Sequence, residues 1–300
     1  MSRNLFLALI AAIPVAVAYA PAADAANPNV VKPVKEDGGW KLKVDGEDFF
    51  MRGMNWGVMP IGSNYSYDFW SESDEFIETT LRREMSQLRG MGVNTIRQYD
   101  NIPPRWVEWI HDNYGIYTLV NPLVGRYGAT IDGAFIPRTD YSDPRTREVL
   151  IEQTVETAKK FKDTRGVIGI MLGNEANYGL EWDSFEIQAL PKGDRYKAKA
   201  VYLYSLYGEI VDEIHKVNAN HPVSICNGDL QFIDLVAEHI PNLDVFGTNV
   251  YRGRTARDLY AEVDRVLDKP IFYAEFGADA FDAKAMREDH LTQASYLRDQ

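Results

Sequence analysis

Seven short apolar runs recur along this chain with helix-patterned segments between them, and that alternation restricts the fold more than any other feature. The strand-length runs are Phe49–Trp56, Asn94–Tyr99, Ile116–Val120, Val167–Leu172, Pro222–Cys226, Val245–Val250 and Pro270–Ala274. Apolar periodicity predicts helices over Glu75–Arg89, Pro144–Lys162, Arg195–Lys216 and Arg257–Leu267, with shorter ones over Pro104–Asp112 and Leu230–Glu238. Strands that alternate with helices pair in parallel through right-handed crossovers. Seven such units, with no Gly-rich nucleotide loop among them, favour an α/β fold of the (β/α)8 TIM barrel type over a doubly wound sheet.

The count stops one unit short. Glu288–Asp299 reads as the helix after the seventh strand, and no eighth strand–helix unit follows at the C-terminus. Either one strand goes unrecognised or the chain is truncated relative to a complete barrel, and truncation is the expectation. An open parallel sheet would expose two edges and one side of its core. Ahead of the barrel, Trp40-Lys41-Leu42-Lys43-Val44 and Asp48-Phe49-Phe50-Met51 flank Asp45-Gly46-Glu47, a short N-terminal β-hairpin with an Asp-Gly turn.

The first residues read as a targeting segment. Arg3 supplies a basic start, Leu5 to Ala20 an apolar stretch, and Ala23-Asp24-Ala25 a small-x-small cleavage site. Pro14 interrupts a stretch already short for a membrane span. The expected organisation is a signal peptide over 1–25, a polar leader over 26–39 and a barrel domain over 40–300 that includes the hairpin. The mature protein would be secreted or periplasmic, with no stable membrane insertion. About 275 residues would remain, enough for one large α/β domain or two small ones.

Charge and composition narrow the partners. The net charge of −12 argues against nucleic acid or anionic lipid and suits a neutral substrate. Cys226 is the single cysteine, so export is not used to build disulfides; within Val223-Ser224-Ile225-Cys226 it reads as a buried structural thiol. His111, His215, His221, His239 and His290 lack paired ligand spacing, so no metal or other cofactor is expected. A Ser-His-Asp hydrolase is disfavoured because no Gly-x-Ser-x-Gly elbow occurs.

Two of the apolar runs lead into a glutamate. Val167–Leu172 runs into Gly173-Asn174-Glu175, and Pro270–Ala274 into Glu275-Phe276-Gly277. A carboxylate at the end of a buried strand is costly unless solvent, a partner or a ligand compensates it. Finding the pattern twice predicts two carboxylates at one rim of the sheet, the equipment of a glycosidase. Two exposed loop glutamates are the plain alternative. Barrel sites lie at the C-terminal ends of strands, which adds Asn55, Trp56, Arg97, Asp100, Asn249 and Tyr251 as candidates.

These motifs, in this order, resemble the retaining glycoside hydrolases of clan A. The resemblance rests on Asn174-Glu175 closing the fourth strand and Glu275 the seventh. Arg97 in Asn94-Thr95-Ile96-Arg97, Tyr251 in Gly247-Thr248-Asn249-Val250-Tyr251, and the opening Phe50-Met51-Arg52-Gly53-Met54-Asn55 also match. Family two barrels and the glucanosyltransferases of family seventy-two are nearest in character. The likeness runs from about Trp40 onward, and the absent eighth strand, which often carries a sugar-stacking tryptophan, is its main departure.

What the resemblance implies is a retaining β-glycosidase with Glu175 as acid/base and Glu275 as nucleophile, about 5–5.5 Å apart. Arg97 and Tyr251 would support Glu275, and Asn174 would bind the sugar 2-hydroxyl. Asn249 joins the substrate-binding set. Among the loop aromatics Trp56, Tyr65, Tyr67, Trp70, Tyr127, Tyr178 and Trp182, the candidates for sugar contact are Trp56, Tyr178 and Trp182. Glu181 is a poorer rival for the acid role. The substrate would be an oligo- or polysaccharide. Two other readings stand beside this one: a β-glucan transglycosylase with the same glutamates, and a non-catalytic carbohydrate-binding barrel.

Overall fold

The computed structural model of the protein describes residues 28–99 and 101–300. The expected signal peptide and Asp100 lie outside the described residues. A three-stranded antiparallel sheet opens the fold: β1 (Val31–Glu36), β2 (Gly39–Val44) and β3 (Glu47–Phe49). The predicted hairpin is β2–β3, turning at Asp45-Gly46 with both residues at positive φ. The segment read as a polar leader carries a strand. Pro33 weakens that signal in the sequence, yet an edge strand tolerates proline, and β1 is the edge.

The barrel elements follow in alternation. They are β4 (Gly53–Asn55), α1 (Asp74–Gly90), β5 (Thr95–Gln98), α2 (Pro104–Tyr114) and β6 (Tyr117–Val120). A small hairpin, β7 (Ala129–Ile131) with β8 (Ala134–Ile136), precedes α3 (Pro144–Phe161) and β9 (Val167–Leu172). Then come α4 (Phe185–Gln188), α5 (Lys192–Val217), β10 (Val223–Gly228), α6 (Ile233–His239), β11 (Val245–Val250), α7 (Leu259–Val266) and β12 (Ile271–Phe276). A two-stranded ribbon, β13 (Phe281–Asp282) with β14 (Arg287–Glu288), and α8 (His290–Asp299) complete the described chain.

Seven parallel strands form one sheet in the order β12-β11-β10-β9-β6-β5-β4. All seven sit where the apolar runs predict them. The sheet is rolled into a nearly closed barrel, as one side chain shows. Arg97 on β5 reaches the backbone and the carboxylate of β12, although five inter-strand spacings of about 4.8 Å separate those strands along the sheet. Laid flat, that is roughly 24 Å, far beyond an arginine. Strands β9, β10 and β11 are buried at every residue, whereas β12 is mostly half-buried and β4 is short and partly exposed. The two looser strands are the two ends of the sheet order, and α8 buries no residue.

The N-terminal sheet closes the far end of the barrel. Val31 and Val44 cluster with Leu119, Ile168, Met171, Cys226 and Ala274 from the barrel strands. Val31 donates its N–H to Asn220 O at 2.8 Å, and Asn29 Oδ1 accepts from Gly166 N at 2.7 Å. Both partners lie just ahead of β10 and β9, so the plug sits at the N-terminal rim. That leaves the C-terminal rim open, which is where the polar candidates converge.

Candidate active site

Period-two alternation along β5 turns Arg97 toward the barrel axis. Its side chain is buried, and every direction of the guanidinium fork finds an acceptor. Nε donates to Asn121 Oδ1 at 2.9 Å, Nη1 to Glu275 Oε1 at 2.9 Å and to Ala274 O at 3.3 Å. Nη2 donates to Asn174 Oδ1 at 2.8 Å and lies 3.4 Å from Cys226 Sγ. A buried cation is tolerated only with pairing of this kind. Asn121 is held in turn by the carbonyls of Met171 (2.7 Å) and Gly173 (2.8 Å), so strand ends from β5, β6, β9 and β12 lock onto one group.

Glu275 receives three donors. Oε1 accepts from Arg97 and from the Tyr99 hydroxyl at 2.8 Å, and Oε2 from the Tyr251 hydroxyl at 3.0 Å. The Arg97 guanidinium lies over the Tyr99 ring, 4.2 Å from its centroid. Burial raises the Tyr99 phenol well above its ordinary range, against the opposing effect of Arg97. Desolvation and then the Glu275 charge raise Tyr251 to about 12. Both phenols therefore keep their protons and act as donors.

Glu175 has a different environment. After β9 the chain reverses through Gly173 (φ 70°) and Glu175 itself (φ 51°), which places a non-glycine residue in the left-handed region. Strain of this sort concentrates at functional sites. The Glu175 N–H is tied to Cys226 O at 2.9 Å, and its carboxylate accepts one side-chain hydrogen bond, from Asn249 Nδ2 at 2.9 Å. The Cys226 thiol lies 3.1 Å from Asn249 Oδ1 and 3.4 Å from Asn174 Oδ1, and donation to Asn249 Oδ1 agrees with the amide N–H facing Glu175. Burial pushes this thiol to about 11, so it stays protonated.

Asn249 links the two acids. It contacts Glu175 through its side chain, and it is the in-register neighbour of Glu275 on the adjacent strand. Asn174, bonded to Arg97 through Oδ1, gives its amide N–H to Tyr127 Oη at 2.9 Å. The structure thus brings Arg97, Asn174, Glu175, Asn249, Tyr251 and Glu275 into one cluster at the open rim. Tyr178 stands beside it, half exposed, with its ring against Gly228, where a Cβ would collide with the ring. Asn177 pins this loop by bonding both the N–H (2.8 Å) and the carbonyl (3.1 Å) of Gly228.

Two expected sugar contacts need correction. Trp56 is 7% exposed and packs on Phe69 and Trp70; Trp182 is 2% exposed and packs edge-on against Tyr141. Neither offers a face to a ring. An indole at a strand end fills core as readily as it lines a cleft. Conversely, Tyr99 and Asn121 belong to the cluster and had a sequence signal. Tyr99 lies two residues beyond Arg97, just past the end of β5, where the inward face of the strand would continue, and Asn121 is the polar residue following Thr118-Leu119-Val120.

Gly173 tests how tightly the turn is built. A Cβ there would overlap the Tyr207 hydroxyl, and the residue already needs φ > 0. Gly173→Ala is expected to lower unfolding free energy by about 2 kcal/mol or more and to cut activity by displacing Asn174 and Glu175. Urea denaturation beside a turnover assay checks it, and unchanged values in both would show that the turn has room.

No protein-family model matches the sequence, and no curated protein matches it. Solved structures do resemble the fold. A Bacteroides uniformis β-glucuronidase superposes with a TM-score of 0.62 at 13% identity, over 86% of this chain and 29% of that one. A GH2 β-galacturonidase from Eisenbergiella tayi gives 0.59 at 12% identity, over 91% and 43%. A β-D-glucuronidase from Dictyoglomus thermophilum gives 0.57 at 16%, over 90% and 43%. What these share with the chain is the fold. The chain spans less than half the length of each of the three.

Proposed function

We propose that the protein is an exported retaining β-glycosidase that cleaves O-glycosidic bonds of a β-linked saccharide by double displacement. The observation that carries this is the unequal surroundings of two carboxylates joined through Asn249. Glu275 is ringed by three donors, one of them a full cation, which suits a group that must attack as a carboxylate. Among the described residues, Glu175 has one neutral side-chain donor and no cation bonded to it, which suits a group that must carry and release a proton.

In the first step Glu175 gives its proton to the glycosidic oxygen while Glu275 Oε2 bonds the anomeric carbon, and the bond to the leaving oxygen breaks. In the second, water gives a proton to Glu175 and its oxygen bonds the anomeric carbon. The electron pair of the ester bond returns to Glu275. Asn174 exchanges its bond to the exposed Tyr127 for one to the sugar 2-hydroxyl. The likeness of the motifs to clan A, and a fold shared with enzymes named β-glucuronidase and β-galacturonidase, support the reading. They also place β-uronides in the first substrate panel.

The deciding experiment is mechanism-based labelling. Incubation with 2-deoxy-2-fluoro β-glycosides carrying a dinitrophenolate leaving group should add one glycosyl mass to the peptide containing Glu275. A product of inverted configuration, or a label elsewhere, would overturn the mechanism. Glu175→Ala is expected to slow glycosides with poor leaving groups by about 10²–10⁴-fold and dinitrophenyl glycosides far less, because only the former need protonation. Equal losses on both would remove Glu175 from the acid role.

A further inference from the structure

Resting on that reading of the site, we infer that Tyr99 is a positioning residue for Glu275 that acts chiefly in the step releasing the sugar from the enzyme. The argument starts from the two carboxylate oxygens, which are not equivalent. Oε1 lies on the closed side, bonded to buried Arg97 and to Tyr99. Oε2 lies on the open side, touched by Tyr251, which is 61% exposed. The attacking atom is therefore Oε2, and Tyr99 grips the oxygen that does not attack.

This placement has a directional consequence. While Glu275 is a free carboxylate, Oε1 shares its charge and the Tyr99 hydrogen bond is charge-assisted. Once Oε2 is bonded to the anomeric carbon, Oε1 is a neutral ester carbonyl and the same bond weakens. As water attacks, the carbon–Oε2 bond breaks, its electron pair spreads over both oxygens, and the water proton passes to Glu175. The Tyr99 bond regains strength as that charge develops. It therefore lowers the barrier to release, while doing little for the first step, in which Glu275 gives charge away. The Arg97 contact alone cannot fill the role. Its fork is shared with Asn121, Asn174 and Ala274, whereas the Tyr99 hydroxyl is directed at Oε1.

The test uses the full protein and whichever dinitrophenyl β-glycoside it turns over among the glucoside, galactoside, glucuronide and galacturonide. With this leaving group the release step is expected to limit kcat. Tyr99→Phe is expected to lower kcat by about 10- to 100-fold, to lower KM nearly in parallel, and to leave kcat/KM within about threefold. A burst of dinitrophenolate should mark the accumulated glycosyl-enzyme. Incorporating 3-fluorotyrosine at position 99, which keeps the hydroxyl and strengthens it as a donor, should restore kcat to at least the parent value. A loss in kcat/KM as large as that in kcat, or a Tyr99→Phe protein with unchanged kcat and KM, overturns the inference. If Tyr99→Phe folds poorly, the fluorotyrosine protein decides: a kcat below the parent value overturns the inference too. Failure of the glycosidase reading is separately visible, as absent turnover in the parent protein or full turnover in Glu275→Gln.

Discussion

Glu275→Gln is expected to remain folded while losing turnover of aryl β-glycosides by about 10⁴-fold or more. The amide oxygen can still accept from Arg97 and Tyr99, so the strand end should hold its shape. The nucleophilic charge is gone, and the amide nitrogen turned toward Tyr251 has no lone pair to offer. Stability should fall by about 1–3 kcal/mol, because buried Arg97 loses its counter-charge but keeps an acceptor. Saccharide binding should survive, since the 2-hydroxyl contact proposed for Asn174 and the rim aromatics are untouched. Isothermal titration with an oligosaccharide beside a kinetic assay separates these effects. Turnover within tenfold of the parent protein would remove Glu275 from the reaction and leave the carbohydrate-binding reading standing. In Glu275→Gly, azide can enter the vacated space and attack an activated glycoside. An α-glycosyl azide is the product expected if Glu275 is the nucleophile.

Much of this arrangement is legible before any coordinates. Strands β9, β10 and β11 are buried at every residue, so they read as near-continuous apolar runs, and all seven strands lie within a few residues of the runs that predict them. The catalytic candidates were legible for the same reason, because a polar residue stands out at the end of such a run. Two omissions have different causes. The β7–β8 hairpin turns at Asp132-Gly133, the same signal that located the β2–β3 turn, but its strands are only three residues long and carry no alternation to read. For the aromatics, residue type says nothing about which way a ring faces. Tyr178 lies at the rim and Trp182, four positions on, is in the core, and only packing against Tyr141 distinguishes them. Tyr99 was readable from its spacing to Arg97 and needed only the recognition that a strand's inward face continues past its polar end.

The largest stability effect belongs to Arg97. Arg97→Met keeps the length and apolar stem of the side chain but removes the charge and the donors that meet Asn121, Asn174, Ala274 and Glu275. Acceptors from three other strand ends are left facing one another around the buried position that the guanidinium filled. The expected cost is about 3–5 kcal/mol, the range seen when one partner of a buried pair is removed. Activity should fall with it, because both Glu275 and Asn174 lose their anchor. Arg97→Lys separates charge from geometry. It restores the cation, yet one ammonium cannot reach four acceptors arranged around a planar fork, so it should recover stability only in part. A double-mutant cycle of Arg97→Met with Glu275→Gln isolates the pair, with a coupling energy of about 1.5–3 kcal/mol expected from guanidinium denaturation. Near-zero coupling would mean that Arg97 stabilises the barrel through the asparagines and the backbone alone. Glu275 would then be poised by the two tyrosines, and the parent protein's dependence on Tyr99 should be larger than the range given above.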